Sequence, residues 1–155
     1  MEHNESELEA ALTKNMRAFL RELGEDFAFI GNQYHLEVAD EDYYIDLLLY
    51  HRRLRCLVAI DLKIGKFLPE YAGKMQFYLS ALDETKKLED ENPSIGIIIC
   101  KTKKRTIVEY TLKSTDKPIG VSTYNMYNAL PDSLKNLLPE PYEIANRLEV
   151  LDELP

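Results

Sequence analysis

The sequence predicts an α/β domain in which helices flank a mixed β-sheet. Three observations carry this expectation. An amphipathic run with helical spacing opens the chain, three short apolar and aromatic-rich runs follow between polar turns, and a nearly continuous apolar run, "SIGIIIC", comes after a second helical pattern.

The elements follow in order. Leu8, Leu12, Met16, Phe19, Leu20 and Leu23 recur at helical spacing. Ser6 and Glu9 form a capping-box pattern, and Gly24 stands where that helix ends. The runs "FAFIGNQYHLEV", "YYIDLLLY" and "CLVAIDL", separated by "ADED" and "HRRLR", read as three consecutive antiparallel strands. Pro69 opens a second helix whose apolar face is Tyr71, Met75, Tyr78, Leu79 and Leu82, with "DETKKLEDE" as its solvated end. "SIGIIIC" has the composition of a strand buried on both faces. Residues 106–112 suit a strand or a helix equally, "PIGVSTY" is a last strand, and the tail is helical, interrupted by Pro139 and Pro141. The core order is thus helix, three strands, helix, strand. The expectation is one domain spanning residues 1–155, with a core over about 6–125 and a helical tail over about 131–155.

Composition excludes several classes. The chain is 45% hydrophobic and 30% charged, and no window approaches the roughly 18 apolar residues of a membrane span. The charged start "MEHNESELEA" lacks the apolar core of a signal peptide. Cys56 and Cys100 lie in apolar runs without metal-site or redox spacing, so they are expected as buried thiols in a reducing, cytoplasmic setting. A net charge of -8 argues against a broadly basic surface. It leaves room for a local basic groove built from "HRRLR" or "KTKKR".

The chemistry concentrates in "CLVAIDLKIG". Side chains alternate along a strand, so Asp61 and Lys63 share one face about 6–7 Å apart. Asp46 interrupts "YYIDLLLY" in the same way, and the intervening turn folds its strand back toward Asp61. Two carboxylates held close repel, and burying them implies a cation or a shared proton. Hard oxygen ligands with room for water suit Mg²⁺ or Mn²⁺. Such an ion polarises a phosphoryl oxygen and acidifies a water, while Lys63 orients the water or offsets negative charge. A bare acid-x-Lys pattern is weak, since roughly two matches arise by chance at this composition. The other match, Glu84 to Lys86, needs no explanation beyond a solvated helix end.

Asp46 in "YYIDLLLYHRRLRCLVAIDLKIGKFLPEYAGKMQFYLSALD", followed by "DLK", resembles the PD-(D/E)XK nuclease superfamily, and the flanking residues are similar to the YhcG-type nuclease-domain family within it. The resemblance runs from about residue 8 to 124 and includes "FLRELGEDFAFIGNQYHLEV", "SIGIIICK" and "KPIGV". It implies a restriction-endonuclease-like core in which Asp46 and Asp61 bind the metal and Lys63 is the catalytic lysine. It further implies the Leu62 carbonyl as a ligand, Glu9 as an added acid from the first helix, and Gln76 as a polar group approaching the site from the second core helix. Glu9 is equally explained by the capping box, and Gln76 by a helix border. Two departures stand out: Asp61 occupies a position where the family usually has Glu, and Asn32 one where Arg is expected. Family members usually carry an extra N-terminal domain, so this chain is expected to be either a fragment or a minimal stand-alone version.

The expected function is a divalent-metal-dependent DNA endonuclease, with DNA, an N-terminal partner domain or protein, and a second copy of the chain as partners. The alternative is a nuclease-fold module that binds nucleic acid or protein and no longer cleaves. "HRRLR" and His51 are candidate phosphate contacts, although a solvated hairpin tip explains "HRRLR" equally, and the ten tyrosines are expected mostly in the core.

Overall fold

A computed structural model describes residues 25–63 and 65–123. The expected first helix with Glu9, and the expected tail over 131–155, lie outside the described residues. Within them the chain runs β1 (Phe27–Val38), β2 (Glu41–His51), β3 (Cys56–Leu62), α1 (Pro69–Thr85), β4 (Ile95–Cys100), α2 (Arg105–Lys113) and β5 (Ile119–Thr123). The sheet order is β1-β2-β3-β4-β5, antiparallel across the first three strands and parallel across the last three.

Local chemistry explains this mixture. Val38 pairs with Glu41, leaving Ala39 and Asp40 as a two-residue loop, and both have positive φ (52° and 66°), as the hairpin turn that matches strand twist requires. Four residues join His51 to Cys56, with Arg55 at φ 50°. Turns this short permit only antiparallel pairing. The connections from β3 to β4 and from β4 to β5 each contain a helix, which allows parallel pairing. Both crossovers step across the sheet in the same direction. With the usual right-handed connection, both helices therefore fall on one face.

That face is visible in the core. Leu57, Ala59, Ile98, Cys100, Ile119 and Val121 pack in one cluster with Ala72, Met75, Tyr78, Leu79 and Leu82 of α1 and Val108 of α2. Val58, Ile60, Leu62, Ile97 and Ile99 alternate with them and are buried too, so β3 and β4 are apolar throughout. Gly96 sits under α1. A Cβ there would lie 2.6 Å from Cγ and Sδ of Met75, so the helix rests against bare backbone.

The structure resolves the open segment as helix α2. Val108 is its one fully buried residue, and Leu112 packs against the core beside it at helical i, i+4 spacing. The supposed solvated end of α1 is partly structural. Asp83 accepts the Ser94 N–H at 2.9 Å and lies 3.5 Å from the Lys117 ammonium, tying the helix end to the starts of β4 and β5.

Candidate active site

The β2–β3 ladder runs from His51↔Cys56 to Leu47↔Ile60. One step further, the same register sets Asp46 opposite Asp61, but no pairing continues there. The Leu62 N–H instead donates to Asp46 Oδ2 at 2.8 Å, and Gln33 Nε2 donates to Asp46 Oδ1 at 3.0 Å. The β1–β2 pairing skips Gln33 and Asp46, and Gln33 has φ 45°. Alternation along β2 changes phase at this point. Ile45 packs with the helix-side core before it and Leu48 packs there after it. The strand is thus wrenched where the acid sits, in the manner of irregularities next to functional sites.

Asp61 continues the helix-side face of Leu57 and Ala59 and is almost fully buried. Its Oδ2 lies 3.5 Å from the Lys63 ammonium and takes no hydrogen bond. Burial, then the hydrogen bond and the charge of Asp46, push its carboxyl up to about 7, against the pull of Lys63 and Lys74. The two carboxyls therefore form one unit that favours a shared proton or a cation over two free charges.

Lys63 is also nearly buried, with its ammonium 4.9 Å from the centre of the Tyr71 ring. Helix α1 presents Tyr71, Lys74 and Tyr78 to this end of the sheet. Lys74 lies over the Tyr78 ring at 5.6 Å, and burial followed by the charges of Asp61 and Asp46 pushes the Tyr78 phenol up to about 12. Spacing i, i+3, i+7 marks 71, 74 and 78 as one stripe; Tyr78, with Gln76, matches a polar-aromatic feature of related nucleases, whereas Tyr71 and Lys74 carry no such resemblance. Gln33 carried no such signal.

The structure brings Asp46, Asp61 and Lys63 together and leaves Gln76 apart. Gln76 is two residues from both Lys74 and Tyr78, roughly 160° around the helix from each, on the opposite border of the buried stripe. Leu62 is buried with its N–H on Asp46. Among the described residues, no three Asp, Glu, His or Cys side chains converge as a metal cluster. The acidic contribution is the Asp46 and Asp61 pair.

The two basic runs exchange roles. "HRRLR" is at the far end of β2 and β3, five residues or about 17 Å along β3 from Asp61. His51 is fully buried, accepting the Leu54 N–H on Nδ1 at 3.2 Å and meeting the Phe27 ring edge-on, so it is a turn-closing core histidine and not a phosphate contact. "KTKKR" follows β4, which runs parallel to β3, and so emerges at the Asp61 end. Tyr44 and Tyr110 are exposed rather than core. Cys56 and Cys100 are buried free thiols.

This mixed sheet, entered through an antiparallel acid-bearing hairpin and crossed by two same-face helices, is the fold of the restriction-endonuclease-like nucleases. Among solved structures it resembles a repair endonuclease from Pyrococcus abyssi, with a TM-score of 0.52 and 17% identity over 84% of this chain and 49% of that one. It also resembles EndoMS in a complex with dsDNA, with a TM-score of 0.50 and 12% identity over 68% of this chain and 40% of that one. Residues 1–139 match the YhcG PDDEXK nuclease domain, and the chain belongs to that family. It is 44% identical over 131 residues to the "Putative nuclease YhcG" of Escherichia coli (strain K12), covering 84% of this chain and 34% of that protein. The chain thus spans about a third of the length of this relative. Among the described residues, no helix is long and apolar enough to cross a membrane.

Proposed function

We propose that this nuclease-family domain is a divalent-metal-dependent endonuclease that hydrolyses phosphodiester bonds in DNA. The observation that carries the reading is the buried Asp46 and Asp61 pair, with Asp61 Oδ2 lacking any hydrogen bond and Lys63 3.5 Å away. Two carboxyls held together with one ammonium at ion-pair distance, and a buried oxygen that takes no hydrogen bond, suit a cation in place of a proton.

Asp46 and Asp61, with the Leu62 carbonyl, are the groups that would hold Mg²⁺ or Mn²⁺, and Glu9 is a further candidate. The bound ion supplies Lewis-acid activation of the phosphoryl oxygen and of a water. The protein's own residues do the remainder. Lys63, fixed between Asp61 and the Tyr71 ring, offsets charge developing on the phosphate and orients the water. The Leu62 N–H fixes one oxygen of Asp46, so that carboxyl is positioned before substrate arrives. Lys74 adds positive charge on the helix side, where a phosphate would lie. The likeness to a DNA-bound EndoMS structure supports DNA as substrate. The short span of the chain against its relative supports a second domain or protein partner, and a homodimer is consistent with the same reading.

The test is nicking of supercoiled and branched DNA by the purified chain with Mg²⁺, Mn²⁺ or EDTA, beside Asp61→Ala and Lys63→Ala. The expected result is metal-dependent cleavage that falls by about a hundredfold or more in both variants. Equal nicking by parent and variants would overturn the assignment. Binding without nicking by the parent would favour the non-cleaving module.

A further inference from the structure

A cavity of about 420 Å³ lies past the ends of β3 and β4, lined by Lys66, Leu68, Pro69, Lys103, Lys104 and Ile107 among others. We propose that it binds one nucleoside phosphate unit, with the phosphate on Lys66, Lys103 and Lys104 and the base against Leu68, Pro69 and Ile107. This rests on the endonuclease reading, and places a nucleotide of the substrate strand there.

Topology makes this cavity a ligand site. It lies past the carboxyl ends of the parallel strands β3 and β4, where sheets of this kind bind ligands. Its floor is built rather than incidental. Lys66 and Thr102 form a parallel bridge, Phe67 N–H donates to the Thr102 carbonyl at 2.8 Å, and Lys101 N–H donates to the Gly65 carbonyl at 3.0 Å. The volume falls within the range of small-molecule pockets, roughly 300–1,000 Å³, and suits a single nucleotide.

The chemistry is two-sided. Lys66 and Lys104 are exposed and bring positive charge to a lining that is otherwise mostly apolar, Lys103 adds a third amine that donates to the Val121 carbonyl at 3.5 Å, and a nucleotide offers both an anion and a flat, poorly hydrated face. Helix α2 begins at this rim with no acid in its first turn and no side-chain cap, so nothing there competes for an anion. Glu109 of α2 is engaged by Arg105 at 2.8 Å, and Glu70 of α1 is exposed and outside the lining. Burial holds the Lys103 ammonium down at about 8, so an anionic partner restores charge that burial disfavours.

Distance ties the cavity to the acid pair. Lys66 is three residues after Lys63, at most about 11 Å along the chain. Lys66 is five residues after Asp61, at most about 18 Å along the chain, and strand phosphates recur every 3.4 Å of duplex axis, so this lysine is about five phosphate steps or fewer from that acid. The Phe67 ring meets Tyr71 edge-on at 6.3 Å, and Tyr71 carries Lys63, so one aromatic pair walls both sites.

The test measures binding in EDTA, where no cleavage occurs, by fluorescence anisotropy of a labelled single-stranded oligonucleotide. The variants are Lys66→Glu with Lys104→Glu, and separately Ile107→Glu. Lys86→Glu, an exposed lysine outside the lining, is the control. Ile107 is on the surface and third in α2, where an acid favours the helix, so Ile107→Glu should keep the parent melting temperature. The expected result is at least tenfold weaker binding for both pocket variants and little change for Lys86→Glu. A second arm titrates thymidine monophosphate as competitor. Displacement of the oligonucleotide, lost with Ile107→Glu, supports the same pocket. Mononucleotide binding that Ile107→Glu abolishes without affecting the oligonucleotide assigns the pocket to the free molecule. Loss confined to the lysine variants, or no loss in any, overturns the proposal. Cleavage is scored separately with Mg²⁺, so a chain that binds through the pocket but never cuts sinks the nuclease reading alone.

Discussion

The backbone N–H of Leu62 donates to Asp46 Oδ2 at 2.8 Å, so one acid of the pair holds the strand that carries the other. Asp46 is therefore structural and chemical at once, and its two roles separate by substitution. Asp46→Asn keeps an acceptor for the N–H, whereas Asp46→Ala strands it. Asp46→Asn should retain the parent melting temperature within about 2 °C and lose cleavage. Asp46→Ala should lose cleavage and also about 1–2 kcal/mol of stability. Denaturant titration of both variants checks this.

Asp61 is the opposite case, a charge the fold tolerates at a cost. Its folded pKa of about 7 lies above its ordinary 3.8, so the group favours folding fully below pH 3.8 and progressively less as pH rises to 7. Above pH 7, without metal, the ionised carboxylate bears the whole penalty. Asp61→Asn cannot ionise and should be more stable than the parent in EDTA at pH 8, by on the order of 1–3 kcal/mol. At pH 5 the difference should shrink. Paired melting curves at the two pH values decide it, and a variant no more stable at pH 8 would contradict the burial argument.

Lys103 offers a chemical readout. With its ammonium held down at about 8 by burial, about half of it is neutral at pH 8, against roughly one in 300 for an ordinary lysine. Folding prefers the neutral amine, so stability from this group grows as pH climbs from 8 toward 10.5. Brief treatment with an amine-acylating reagent at pH 8 should modify Lys103 ahead of exposed Lys86 and Lys113, as read by peptide mass spectrometry. Uniform labelling would argue against a depressed pKa.

Ala39 marks a local conflict in the β1–β2 hairpin. It holds φ 52° where glycine or asparagine is at ease, at a cost of roughly 1 kcal/mol. Ala39→Asn should raise stability by about 0.5–1 kcal/mol without touching cleavage, since the turn lies away from the acid pair. Chemical denaturation tests this directly.

What the sequence disclosed follows from which interactions are local. Period-two runs and short turns placed β1, β2 and β3, and a proline marked the start of α1, because each is decided within a few residues. The segment of α2 reads both ways because β-branched Thr106, Ile107, Val108 and Thr111 favour a strand while Val108 and Leu112 fall at helical spacing, and packing on the core decides between them. Asp46 was found, but not the wrench that aims it, since Gln33 at φ 45° is a glutamine and announces no unusual backbone. For the basic runs, proximity along the chain does not decide proximity in space, and for "HRRLR" the solvated hairpin tip is the reading that holds. "HRRLR" joins the acid-bearing strands but does so at their far end. "KTKKR" leaves the sheet at the Asp61 end because β4 runs parallel to β3, a pairing between segments about forty residues apart.

Gly96 carries no side chain, yet it sets the clearance between sheet and helix. Met75 rests where a side chain would stand, and Tyr71, Lys74 and Tyr78 ride on that same rigid rod. A methyl inserted there acts as a shim. If Met75 does not give way, α1 lifts from its seat, the aromatic ring beneath Lys63 tips outward, and the ammonium drifts from Asp61. The spacing of Asp61 and Lys63 is thus gauged at the middle of the molecule, by an atom that is not there.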